Sequence, residues 1–173
     1  PEAKGGLGID QVTLALMVEE MGYAGLPEPV AEQIFLVNDI ISFLPKNITE
    51  AVESNYNDGT QYIAFAHPLA PNPLFLNDAA GLILLDNSEC NFIAKDDMDF
   101  ESISSNDPSR ELFQITSMNK VISASENFDE LNTAVSARGA LMTAALLIGL
   151  AQKMIDLSSV YVLDRTQFGK PIG

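Results

Sequence analysis

The chain has 173 residues, with 24 acidic against nine basic side chains, one histidine, one cysteine, no tryptophan and a formal net charge of -15. Its length can bury a core in one domain or two, and the lone Cys90 excludes a disulfide framework or a cysteine metal cluster, which fits a reducing, cytoplasmic setting. Residues 1–131 hold 22 of the acids and five of the bases, so nucleic acid and anionic membrane are poor partners for them; over residues 132–173 the balance is +2.

The opening PEAKGGLG reads as a loop, with Gly5, Gly6 and Gly8 favouring a tight turn. No strand precedes it, so it is not a dinucleotide fingerprint, and its polarity is unlike a signal peptide. Asp10 is expected to cap a helix to about Met21, with Leu14, Met17, Val18 and Met21 on one face and Gly22 ending it. After a linker from Gly25, Pro29 suits the first turn of a second helix, about Val30 to Leu44. Its apolar set is Ile34, Val37, Ile40, Ile41 and Leu44, and Pro45 stops it. Asn47 with Glu50 resembles a capping box for a short helix to about Ser54.

The character changes near Asn57-Asp58-Gly59. Gln61 to Ala66 is a strand candidate, after which Pro68, Pro71 and Pro73 forbid regular structure. Leu82 to Leu85, a turn at Asp86 to Glu89 and a return strand from Asn91 to Lys95 form a hairpin pattern. Asp96, Asp97, Asp99 and Glu101 make an exposed acidic run that lacks the glycine and the remaining ligands of a calcium loop. Glu111 to Thr116 and Lys120 to Ala124 are the last strand candidates, and Glu126 to Glu130 is a linker.

The longest stretch of one character is a helix from about Ala134 to Leu163. Thirty helical residues extend about 45 Å at 1.5 Å each, and such a helix needs partners along its length. Ala137, Gly139, Ala140, Ala144, Ala145, Gly149 and Ala151 permit close backbone approach, and the first half is apolar nearly all round. The apolar run is shorter than the roughly 20 residues a membrane span requires and is flanked by Arg138, Gln152 and Lys153, so no span is expected. This is the pattern of a bundle helix whose bundle is completed by another chain or by further sequence. The expected organisation is a helical domain at 1–58, a small antiparallel β-domain at 59–125, and a linker with the first bundle helix at 126–173.

Catalytic groups are sparse. His67 is the only histidine, so any nucleophile–base pair would have to use it; its place between a strand end and Pro68 favours a structural or exposed role over a ligand-contacting one, and either over a general base. Cys90 follows a turn in a strand and is expected to be half-buried and inert. No spacing of His, Cys and carboxylate suits zinc, and no metal is expected.

Two signatures carry a family resemblance. Pro1-Glu2 with Gly5-Gly6-Leu7-Gly8, and the helix ending Val18-Glu19-Glu20-Met21-Gly22, resemble the opening of the acyl-CoA dehydrogenases. Gly149-Leu150-Ala151, Tyr161, Arg165 and Gln167-Phe168-Gly169-Lys170-Pro171-Ile172 resemble the first helix of their carboxy-terminal bundle and the segment after it. The resemblance implies an acyl-CoA dehydrogenase-like fold: helical amino-terminal domain, β-domain, and the start of a four-helix bundle, incomplete in this chain. It implies FAD lying between β-domain and bundle, and subunits paired as a homo- or hetero-oligomer so that the signature arginine reaches the neighbour's flavin. It further implies an acyl-CoA substrate, α,β-dehydrogenation with a carboxylate base, and electron-transferring flavoprotein as acceptor. Arg165 is the cation expected near the FAD pyrophosphate, with Gln167 and Phe168 beside the cofactor. Arg165 is otherwise a structural charge, paired with Asp164 or exposed at the helix end.

The sequence departs from the family in its middle. Where the family has Thr-Glu-Pro-x-Ala-Gly-Ser-Asp, this chain has Phe65-Ala66-His67-Pro68-Leu69-Ala70 without the Gly-Ser-Asp end, and the tryptophan-bearing segment is missing. The stretch from Ala79 to Asp107-Pro108-Ser109-Arg110 is similar to the reduced β-domain of subunits from heteromeric sterol-degrading dehydrogenases. In that branch a subunit can lack flavin contacts or base while completing its partner's site. FAD is therefore expected to be held weakly or shared across an interface. The base is expected beyond residue 173, in a protein of which these residues are a fragment.

Overall fold

Asp10 does start the first helix. In the computed structural model, which describes residues 7–41, 46, 49–50, 61–86, 88–125 and 128–173, its Oδ1 accepts the Thr13 N–H at 2.9 Å. Gly5, Gly6, the end of the second helix with Leu44 and Pro45, Asn47, Ser54 and the Asn57-Asp58-Gly59 boundary lie outside the described residues. The chain divides into two compact units, Pro27–Gly139 and Pro1–Leu26 with Ala140–Gly173.

In the unit Pro27–Gly139, α2 (Val30–Glu32) continues as a π-helical turn, Gln33–Val37, and then as α3 (Asn38–Ile41). Val37, Ile40 and Ile41 are buried, as their spacing implies. Pro29 is the cap rather than the first helical residue.

The strands are β1 (Tyr62–Ala66), β2 (Ala79–Leu85), β3 (Cys90–Ala94), β4 (Met98–Ile103), β5 (Leu112–Met118) and β6 (Ile122–Ala124). A four-stranded sheet has the order β1-β2-β3-β6, and β4 and β5 form a separate antiparallel ribbon. The expectation of an antiparallel β-domain needs correction, because β1 runs parallel to β2 and the sheet is mixed. The proline-rich connection between them spans residues 67–78, long enough for the crossover a parallel pair needs. Both sheet faces are covered, which is why β2 and β3 read as apolar runs, AAGLILL and CNFIA, instead of alternating. One face packs Ala64, Ala66, Leu82 and Ile93 with Leu76, Met98 and Phe113. Phe113 meets Phe100 edge to face at 5.5 Å.

β4 was not among the strand candidates. Its acids obscured an alternation in which Met98 is buried, Phe100 and Ile103 are half-buried, and Asp99 and Glu101 are exposed. The turn after β2 is as expected: Asp86 N donates to Glu89 O at 3.1 Å, and Asp86 Oδ1 accepts from Ser88 N and Glu89 N.

The long helix, α4, spans Phe128–Asp164, six residues longer at its start than its composition suggests. Phe128, Leu131 and Val135 are buried at helical spacing, so Phe128 to Glu130 are helix and not linker. Asp129 and Glu130 look like linker residues, yet acids in the first turn favour the positive end of a helix. By length and composition α4 could also cross a membrane, contrary to the estimate from its central run alone.

In the other unit, α1 (Gln11–Ala24) outlasts the expected stop at Gly22 and ends at Gly25, whose φ of 72° is the left-handed closing conformation. Gly22 has a different task. A Cβ there would lie 2.9 Å from the Leu146 carbonyl carbon, and one on Gly149 would lie 2.6 Å from Tyr23 N. The two helices thus touch backbone to backbone at a pair of glycines. Beside this crossing Tyr23 Oη donates to Asp156 Oδ2 at 2.9 Å, and the Lys153 ammonium sits 4.6 Å from the Tyr23 ring centroid. The Asp156 carboxylate raises the Tyr23 phenol above its ordinary range through that hydrogen bond. Away from the crossing, Leu147, Ile148, Met154, Ile155, Leu157, Val160 and Leu163 are exposed, so these apolar side chains in the second half of α4 have little cover within the chain's described residues.

Gly139, also inside α4, has nothing within 4 Å of an added Cβ. Gly139→Ala should therefore stabilise the protein by about 0.5–1 kcal/mol, the helix-propensity difference between the two residues. Denaturant unfolding of the two proteins checks this, and a destabilised Gly139→Ala would refute it.

Candidate functional site

α4 ends at Asp164, and the chain turns at once into a two-stranded hairpin, β7 (Thr166–Gln167) and β8 (Lys170–Pro171). The connection is Phe168-Gly169, with φ of 53° and 79°. Positive φ at both central residues is the type I′ turn that matches the twist of a tight hairpin. Gly169 accepts this freely; a bulky aromatic does not, and such strain clusters at sites of function. Phe168 is 101% exposed. Ile172 N donates to Arg165 O at 3.1 Å and Gly173 N to Val162 O at 3.3 Å, so the hairpin is folded back on the last helical turn.

The three residues singled out for cofactor contact, Arg165, Gln167 and Phe168, are thus carried on one hairpin and all exposed. Arg165 lies at the carboxy end of the helix dipole, where a cation is favoured. Its Nη1 donates to Tyr161 Oη, and its guanidinium carbon lies 5.6 Å from the Tyr161 ring centroid. The holding partner is therefore Tyr161, not Asp164. The i,i+4 spacing of Tyr161 and Arg165 was the available signal for it. Lys170 pairs with Gln167 across the hairpin and adds a second cation.

His67 ends β1 within a tight turn in which His67 N donates to Ala70 O (3.1 Å) and Ala70 N to His67 O (2.7 Å). Leu69 N donates to His67 Nδ1 at 3.2 Å. That nitrogen is therefore the acceptor, and Nε2 carries the proton it donates to Asn132 Oδ1 at 3.2 Å. The ring is also stacked on Phe65 at 6.4 Å. With both nitrogens engaged, His67 staples the end of β1 to α4 rather than waiting as a base.

Cys90 is buried more deeply than expected, and burial pushes its thiol up to about 12, so it holds no thiolate at neutral pH. Burial, with Asp78 and Glu111 nearby, likewise keeps the Tyr62 phenol well above its usual range. Asp99 accepts a hydrogen bond from Ser117 Oγ at 2.5 Å, and among the described residues no His, Cys and carboxylate set is gathered as for a metal. Asp107 closes its own turn, its Oδ1 accepting from Ser109 N and Oγ at 3.0 and 2.6 Å, which lowers its pKa.

No protein-family model and no curated protein matches this sequence. Solved structures do. The Tcur3481–Tcur3483 steroid ACAD, in a variant form, superposes on 100% of this chain and 55% of its own at a TM-score of 0.77 and 17% identity. Butyryl-CoA dehydrogenase from Megasphaera elsdenii matches 99% of this chain and 58% of its own, with a TM-score of 0.73 and 18% identity. Glutaryl-coenzyme A dehydrogenase in its glutaryl-CoA complex gives a TM-score of 0.69 over 100% and 56%, at 15% identity. Another match is an FAD complex, that of PigA, with a TM-score of 0.72 at 14% identity. The chain carries the acyl-CoA dehydrogenase fold, over little more than half the length of each of these structures.

Proposed function

We propose that this chain belongs to a subunit of a cytoplasmic, FAD-dependent acyl-CoA dehydrogenase acting on a fatty or sterol-derived acyl-CoA. The observation that carries the reading is the Phe168-Gly169 hairpin, a strained and fully exposed aromatic beside an exposed guanidinium, on a chain with this fold. The donor set suits a dinucleotide pyrophosphate. Arg165 keeps N–H donors beyond the Nη1 engaged by Tyr161, Lys170 adds charge, and Gln167 offers an amide. Bound FAD would supply the hydride acceptor for α,β-dehydrogenation of the thioester. The part of this chain is to hold and orient: Arg165 on the pyrophosphate, Gln167 and Phe168 against the cofactor, and Tyr161 fixing the Arg165 guanidinium. Electron-transferring flavoprotein is the proposed acceptor.

A second reading has its own observation. His67, at the place of the family's Glu-Pro run, is consumed by Leu69 and Asn132, and the Gly-Ser-Asp end of that run is absent. The chain would then belong to a partner subunit that completes the flavin site of a related subunit without holding flavin on its own β-domain. FAD titration of the purified protein, alone and with a related subunit, separates the two. Weak or absent binding alone with stoichiometric binding in the mixture is expected. Submicromolar binding by the single protein, abolished by β-domain substitutions, would overturn the partner reading; no flavin in either preparation would overturn both.

A further inference from the structure

Among the described residues β1 is an edge strand, with β2 on one side and no strand on the other. Along a strand, successive peptide groups point to alternate sides, so the N–H and C=O of Ile63, Phe65 and His67 share the outer edge. Unpaired edges invite the addition of another strand. His67 has both of its outward groups taken by Ala70. At the opposite end the partner is a side chain: Gln33 Nε2 donates to Ile63 O at 2.5 Å, and Ile63 N donates to Gln33 Oε1 at 3.2 Å.

This two-point bond coincides with an irregularity in each neighbouring element. Gln33 opens the π-helical turn Gln33–Val37, which holds one residue more per turn than the α-helix on either side. On the strand side, Tyr62 pairs with Ala79 but Ile63 with Gly81, so the register of β2 skips Ala80 beside Ile63. Ile63 itself is 1% exposed, which leaves water little access to its peptide groups. An unpaired buried peptide N–H and C=O would be costly, and a carboxamide carries its donor and its acceptor on one planar amide, as a peptide group does.

We propose that the Gln33 carboxamide acts as a one-residue strand that sets the register of the β1 edge at Ile63 and closes that end against strand addition. The π turn is what brings the amide to the edge. Through β1 the same bond positions the His67–Ala70 turn, and this holds whether or not the chain handles flavin.

The test is residue-resolved amide hydrogen exchange on the protein as expressed, comparing wild type with Gln33→Leu and with Gln33→Asn, whose amide is one methylene too short. In either variant the Ile63 amide is expected to exchange at least about tenfold faster, while the Ala64 amide, directed at β2, changes by less than about threefold. Should Gln33→Leu fail to fold, Gln33→Asn carries the comparison. The wild type adds a third reading, with Ile63 at least about tenfold slower than Phe65 on the same edge. Equal protection of Ile63 in wild type and variants overturns the proposal. So does a parallel loss at Ile63 and Ala64, which would give Gln33 a general stabilising role and not one at the edge.

Discussion

Gly149→Ala is expected to destabilise the protein by about 2–4 kcal/mol, in the range of the larger overpacking effects, although alanine is the better helix former. The new Cβ would fall 2.6 Å from Tyr23 N and against the Glu19 carbonyl, and backbone cannot rotate aside as a side chain can. α1 would have to back away from α4, stretching the Tyr23–Asp156 hydrogen bond and the Lys153 contact with the Tyr23 ring. The same substitution one helical stretch earlier, Gly139→Ala, meets open space and should stabilise. The pair therefore holds chemistry constant and lets geometry alone decide the sign. Denaturant unfolding of both variants, with amide exchange along α1, reads the result. If Gly149→Ala proves as stable as Gly139→Ala, the close crossing does not exist in solution.

That crossing also shows what the sequence could and could not disclose. The small residues of α4 announced a close approach, and Asp10 announced where α1 begins, because both are local signals. Gly22 was mistaken for a helix end because a glycine that admits a neighbour and a glycine that closes a helix look alike until the neighbour is known. The parallel pairing of β1 with β2 was hidden for a related reason: periodicity gives faces, not strand direction. β4 was missed because its exposed half is acidic, although Met98, Phe100 and the acids between them alternate at the strand period. The segment after α4 was legible as a motif, Gln167-Phe168-Gly169-Lys170, but not as a hairpin, and Tyr161 as the holder of Arg165 needed the helix register to be known.

Arg165→Ala is expected to weaken FAD retention in the complete assembly by about 1.5–3 kcal/mol, the range for a hydrogen bond to a charged group. At roughly tenfold per 1.4 kcal/mol, that is a loss of about 10- to 150-fold in affinity. Stability without FAD should change by less than about 1 kcal/mol, since the guanidinium is exposed and its described hydrogen bond is to the half-exposed Tyr161. Arg165→Lys keeps the charge at the end of α4 but loses the planar fork, so it should recover only part of the affinity. Tyr161→Phe keeps the ring beneath the guanidinium and removes the hydroxyl that fixes it. It should fall between wild type and Arg165→Ala. Flavin content and dissociation constants across these proteins, alongside melting without FAD, separate a ligand contact from a structural charge. Equal FAD affinity in wild type and Arg165→Ala, or an FAD-free protein that loses most of its stability, would assign Arg165 to the fold.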